Sequence, residues 1–144
     1  MKAAEVFAPE ACKVVEESIR QAELRTSGEI RLYVEDRCPE DVLDRAAFMF
    51  ETLKMHATAQ RNGVLIYLAV ADRQFAIIGD VGINSKVPTG FWDSVKDEML
   101  AQFRNGDLPA GIVAGVRAAG EKLAAHFPRQ ADDRDELSNK VVMG

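Results

Sequence analysis

Cysteine is scarce in this chain: the 144 residues hold two, Cys12 and Cys38. They sit at unrelated spacing with no CxxC and no cysteine–histidine pattern, which speaks against a structural zinc site. Neither is followed by the glycine-rich anion loop, closed by an arginine, with which a cysteine phosphatase holds phosphate and stabilises its thiolate. Both are expected as reduced thiols. Positive charge is also short, with 18 Lys and Arg against 23 Asp and Glu, a net charge of −5. No basic cluster is present, so a nucleic-acid partner is excluded and anionic membrane surfaces are disfavoured. Apolar runs are brief and nowhere approach the roughly 20 residues needed to span a bilayer. Met1 to Gln21 lacks the apolar core and cleavage site of a signal peptide. A cytoplasmic protein without membrane insertion is expected. Also missing are GxxxxGK[ST], GxGxxG, GxSxG and HExxH motifs, and any internal repeat, low-complexity tract or linker.

What is present fits a compact globule: 47% of residues are hydrophobic and 28% charged, and the length suits one domain that buries roughly two thirds of its unfolded surface. Pro9 suits a first helical turn, and Ala11, Val15, Ile19 and Ala22 recur at helical spacing up to Thr26-Ser27-Gly28. Ile30, Leu32 and Val34 alternate with polar residues, the period of a strand with one buried face. Pro39 opens a second helix, with Glu40 and Asp41 in its first turn and Val42, Ala46, Met49 and Leu53 inward.

The most informative stretch is Arg61 to Ile83. Gly63 to Ala71 is apolar throughout, which predicts a central strand buried on both faces. An Ala71-Asp72-Arg73-Gln74 turn leads to a third strand from Phe75 to Gly79. Pro88, Thr89 and Gly90 precede a third helix bearing Trp92, Val95, Met99 and Phe103, closed by Asn105-Gly106. Asp107 can cap a fourth, with Val113, Val116, Gly120, Leu123 and Phe127 inward until Pro128. The expected architecture is a three-layer α/β/α sandwich with a short mixed sheet and about four helices. Residues 1–128 form one domain and 129–144 a flexible, solvated tail.

Chain direction then sorts the polar residues. A crossover makes the first two strands parallel and the tight turn makes the third antiparallel. One end of the sheet collects Ser27, Gly28, Glu29, Arg61, Asn62, Asp80 and Gly82, with His56, Thr58 and His126 delivered by helix ends. Glu29, Asp80, His56 and His126 are candidate ligands for a divalent ion there, and Glu29, Arg61 and Asp80 are catalytic candidates. The other end holds Glu35, Asp36, Asp72, Arg73 and Asp107. It is the carboxyl end of the parallel strands, where open α/β sheets bind ligands, and Asp72 and Asp107 form its alternative metal set. Asn62 and Arg73 are candidate binding residues. Each candidate also has an ordinary alternative: Asp72, Arg73 and Asn62 as turn formers, Asp107 and Asp80 as backbone caps, Glu29 as a surface carboxylate, and the histidines as complements to helix dipoles.

Three pieces in order, TSGEIRLYV at 26–34, RNGVLIYLAVADRQFAIIGDVGI at 61–83 and MLAQFRNGDLPAGIVAGV at 99–116, resemble the TPM domain family. The family is named after a thylakoid lumen protein, a photosystem II repair protein and an acetylcholine-receptor accessory protein. The resemblance implies an α/β/α sandwich around a short mixed sheet. Plant members of the family are described as acid phosphatases, some members bind calcium, and the receptor-accessory member modulates a channel without known catalysis. Positions matching the family are Asn62 and Gly63, Asp72 and Arg73, Gly79 to Gly82, and Gly106 with Asp107. Two functions follow as expectations. One is an accessory module that binds a metal or a protein partner associated with the membrane. The other is a metal-dependent acid phosphatase acting on phosphomonoesters with calcium, magnesium or zinc.

Overall fold

A computed structural model describes residues 1–131 and 136–144. Among them lie six helices and four strands: α1 (Ala3–Val6), α2 (Pro9–Glu23), β1 (Glu29–Glu35), α3 (Val42–Thr52), β2 (Gly63–Ala69), β3 (Gln74–Gly79), α4 (Val81–Asn84), α5 (Asp93–Arg104), α6 (Leu108–His126) and β4 (Val142–Met143). The strand order is β3-β2-β1-β4. β1 runs parallel to β2 with Glu29 opposite Gly63, and β3 runs antiparallel to β2 with Val64 opposite Gly79. β2 is therefore central, and it is buried along its whole length as its unbroken apolar run requires.

Period-two alternation in β1 and β2 feeds two cores on opposite faces of the sheet. Ile30, Leu32, Val34, Val64, Ile66 and Leu68 face one side, where Val15 and Ile19 of α2, Val95 and Met99 of α5, and Ile112, Val116 and Leu123 of α6 cover them. Tyr33, Leu65, Tyr67 and Ala69 face the other, under Ala46 and Met49 of α3. The result is the α/β/α sandwich expected. Among the described residues no helix is long and apolar enough to cross a membrane.

Several local expectations shift. α1 and α4 are single turns that sequence periodicity does not register, because four residues are too few to show a repeat. Asp41 lies outside α3 as its cap, accepting the backbone N–H groups of Leu43 and Asp44. On α6, Ile112 is fully buried and Val113 only partly so. Val142 and Met143 add a fourth strand beside Tyr33 and Val34, within the stretch read from sequence as a solvated tail. Residues 132–135 of that stretch lie outside the described residues.

Candidate functional site

At the amino end of the parallel strands, the register brings the starts of β1 and β2 together with the exit of β3. Asp80 is only 4% exposed. Arg61 grips it with two bonds, Nε to Oδ2 at 2.8 Å and Nη2 to Oδ1 at 2.9 Å. Oδ1 also accepts the Val81 N–H at 2.7 Å and so caps α4. The bond to Asp80 raises the Arg61 guanidinium above its ordinary value. Asn62 is buried: its Nδ2 donates to the Ser27 carbonyl at 3.0 Å, its own N–H donates to Thr58 Oγ1, and its carbonyl accepts from the Glu29 N–H. It staples the starts of β1 and β2 together.

Glu29 is equally enclosed. Its Oε1 accepts the backbone N–H groups of Glu136 at 2.7 Å and Leu137 at 2.5 Å, so this carboxylate anchors the returning carboxyl-terminal segment. The end of α6 reaches the same pole, because the Phe127 carbonyl accepts from Ser27 N–H and Thr26 bridges Pro128. His126, in its last turn, is exposed and packs edge-on against Phe91 with ring centroids 5.4 Å apart. His56 is exposed in the connection after α3. Among the described residues no group of three or more His, Cys, Asp or Glu side chains is placed to hold a metal ion. The donors at this pole do not fit the divalent ion that the family resemblance implies: both Asp80 oxygens carry arginine, and Glu29 carries backbone.

At the carboxyl end the same saturation recurs around Glu35. Arg45 donates Nε to Oε2 at 2.8 Å and Nη2 to Oε1 at 2.9 Å, Tyr67 donates its hydroxyl to Oε2 at 2.5 Å, and Tyr33 reaches Oε1 at 3.3 Å. The two tyrosine rings stack at 6.0 Å. Burial alone would raise the Glu35 carboxyl, but the bonds from Arg45 and Tyr67 outweigh it and hold the group below its ordinary value. Burial, then the bond to Glu35, drives the Tyr67 phenol far upward. Glu35 is thus a fixed anion with no proton to give. Arg45 and Tyr67 were missed from sequence, although an arginine inside the apolar stripe of α3 and a tyrosine within an aliphatic strand were the available signals.

Asp72 accepts Cys38 N–H at 2.7 Å and Arg37 Nη1 at 3.0 Å, and Asp107 caps α6 through Ala110 N–H at 3.0 Å. Asp36, the residue after β1, accepts Ala3 N–H at 2.7 Å. These carboxylates are separately committed and supply no shared donor set. Arg73 differs: it is exposed in the β2–β3 turn, its φ is 53°, and it lines a cavity of about 620 Å³.

The residues expected at each end are thus largely together, but as internally bonded structure. Comparisons with known proteins agree with the fold. A solved structure of the BA42 protein from the psychrophilic bacterium Bizionia argentinensis is 46% identical, with a TM-score of 0.89 over 94% of this chain and 93% of that one. The N-terminal domain of a protein from P. gingivalis, 18% identical, superposes with a TM-score of 0.72 over 89% of this chain and 84% of that one, a likeness of fold alone. No curated protein matches. The family model for the TPM domain matches residues 1–122, and the chain belongs to that family.

Proposed function

We propose that this TPM domain is an accessory module that works by binding, with a membrane-associated protein as its partner, and that it does not hydrolyse phosphoesters. The observation that supports this most is the commitment of Asp80. A hydrolytic site at the amino end of the sheet needs that carboxylate free for an ion or a water, yet two guanidinium bonds and a backbone N–H already engage both of its oxygens. Releasing it would leave a buried charge without its cation, a large cost in a 4% exposed site. The receptor-accessory member of the family to which the resemblance points supports the same reading. The two cysteines, both unpaired and half-buried, suit a reducing cytoplasm.

The test is turnover. The purified protein is incubated with a generic phosphomonoester at acid and neutral pH, with calcium, magnesium, zinc or no metal. No phosphate release above the rate of an Asp80→Asn variant is expected. Metal-dependent release that vanishes in that variant would overturn the proposal in favour of a phosphatase. Thermal shifts with the same three metals read out ion binding separately.

A further inference from the structure

Beyond that reading, and independent of it, we infer that the cavity between the β2–β3 turn and the α5–α6 corner binds a small amphipathic anion: a carboxylate or phosphate head on an apolar chain. The cavity measures about 620 Å³, within the range of ligand pockets, against about 360 Å³ for the groove between α2 and α6. Its walls divide by chemistry. Leu68, Phe75, Phe103 and Leu108 form an apolar floor, and Arg73 and Arg104 stand at it as cations. Phe75 and Phe103 meet edge to face with centroids 5.2 Å apart, and both, with Leu108, are only partly buried although they pack on the main core. Apolar surface left open inside a cavity is what a hydrocarbon chain would cover.

The charge at the mouth points the same way. Arg37, Arg45 and Arg61 each close on an Asp or Glu, whereas neither Arg73 nor Arg104 has an ion-pair partner among the described residues. In a chain of net charge −5, two unpaired guanidinium groups beside one cavity are a local reversal of sign. Asp72, directly before Arg73, is taken by Arg37 and the Cys38 N–H, and Asp107, three residues after Arg104, is turned to α6 as its cap and lines the adjoining groove with Pro109. Arg73 also holds a left-handed backbone where the turn would accept glycine more easily. Arg61 holds the same backbone and uses its side chain to clamp Asp80; Arg73 has no such internal duty. The site lies at the carboxyl end of β2, on the side where parallel strands of α/β folds receive ligands.

The test is an amide NMR titration of the full chain with decanoate, decyl phosphate, decanol, acetate and inorganic phosphate, all below micelle-forming concentrations. Saturable shifts are expected at residues 73–75 and 103–108 with decanoate or decyl phosphate, the tighter of the two identifying the head. Acetate and inorganic phosphate should bind at least ~100-fold more weakly, for want of a tail. An Arg73→Gln/Arg104→Gln variant, altered only at exposed positions, should lose about tenfold or more in decanoate affinity with decanol unaffected. The inference is overturned if decanol binds as tightly as decanoate, if the double variant binds decanoate like the parent, or if the shifts map elsewhere.

Discussion

Arg61 and Arg73 share a left-handed backbone, at φ 51° and 53°, and differ in what holds them there. Replacing either with glycine relieves the Cβ conflict of that conformation. Arg73→Gly is expected to raise unfolding free energy by up to about 1 kcal/mol in urea denaturation, since no internal contact is lost. Arg61→Gly should lower it, because Asp80 remains buried without its guanidinium. Equal signs for the two would contradict the assignment of Arg61 to structure. Glu35 makes a prediction in pH. Its folded carboxyl lies below the ordinary value of about 4.3, so its contribution to stability is complete above that value and lost as pH falls through the folded one. Glu17, lowered to about 2 by its bond from Arg20, acts in the same acid window, but as an exposed surface pair it contributes little. Unfolding free energies from urea denaturation at pH 7 and below should therefore hold steady to about pH 5 and then fall, whereas Glu35→Gln should start lower by about 2–3 kcal/mol and fall less steeply.

At the scale of elements, α4 shows how a single turn is kept in place. Its cap is Asp80, and the Gly82 N–H donates to the Arg61 carbonyl at 2.9 Å. A Cβ on Gly82 would collide with the Gln60 carbonyl and lie 2.6 Å from that of Arg61, both backbone atoms. On α6, a Cβ on Gly115 would also crowd a neighbour, but that neighbour is the Met99 side chain at 2.6 Å, which can move. Gly82→Ala is expected to cost about 1–3 kcal/mol by overpacking and Gly115→Ala less. Thermal denaturation of the two variants checks the order, and a reversed order would mean that the loop at 60–61 yields more readily than the core.

For the whole molecule, the carboxyl-terminal segment closes the sheet's second edge. β4 pairs with Tyr33 and Val34, the Gly144 N–H donates to the Val34 carbonyl, and Leu137 and Val142 pack on the cluster beneath α3. Deleting residues 136–144 removes these together with the two N–H donors to Glu29. A loss on the order of 3 kcal/mol is expected, with unfolding still cooperative because the larger core on the other face loses only Val141 at its margin. A truncated chain as stable as the parent would show that the segment only lies on the surface.

The strands β1 to β3, the helices α2, α3, α5 and α6 and the Asp107 cap could be read from the chain alone, since periodicity, turn chemistry and capping depend on near neighbours. The common end shared by Glu29 and Asp80 followed from strand direction. Partners did not follow. That Asp80 takes Arg61, that Glu35 takes Arg45 and Tyr67, and that Val142 and Met143 join β1 depends on packing between residues far apart in sequence, about which local patterns carry no information. The folded arrangement therefore sorted the polar residues, turning the expected carboxylate ligands into internal bonds, leaving His56 and His126 exposed and Arg73 and Arg104 facing a cavity.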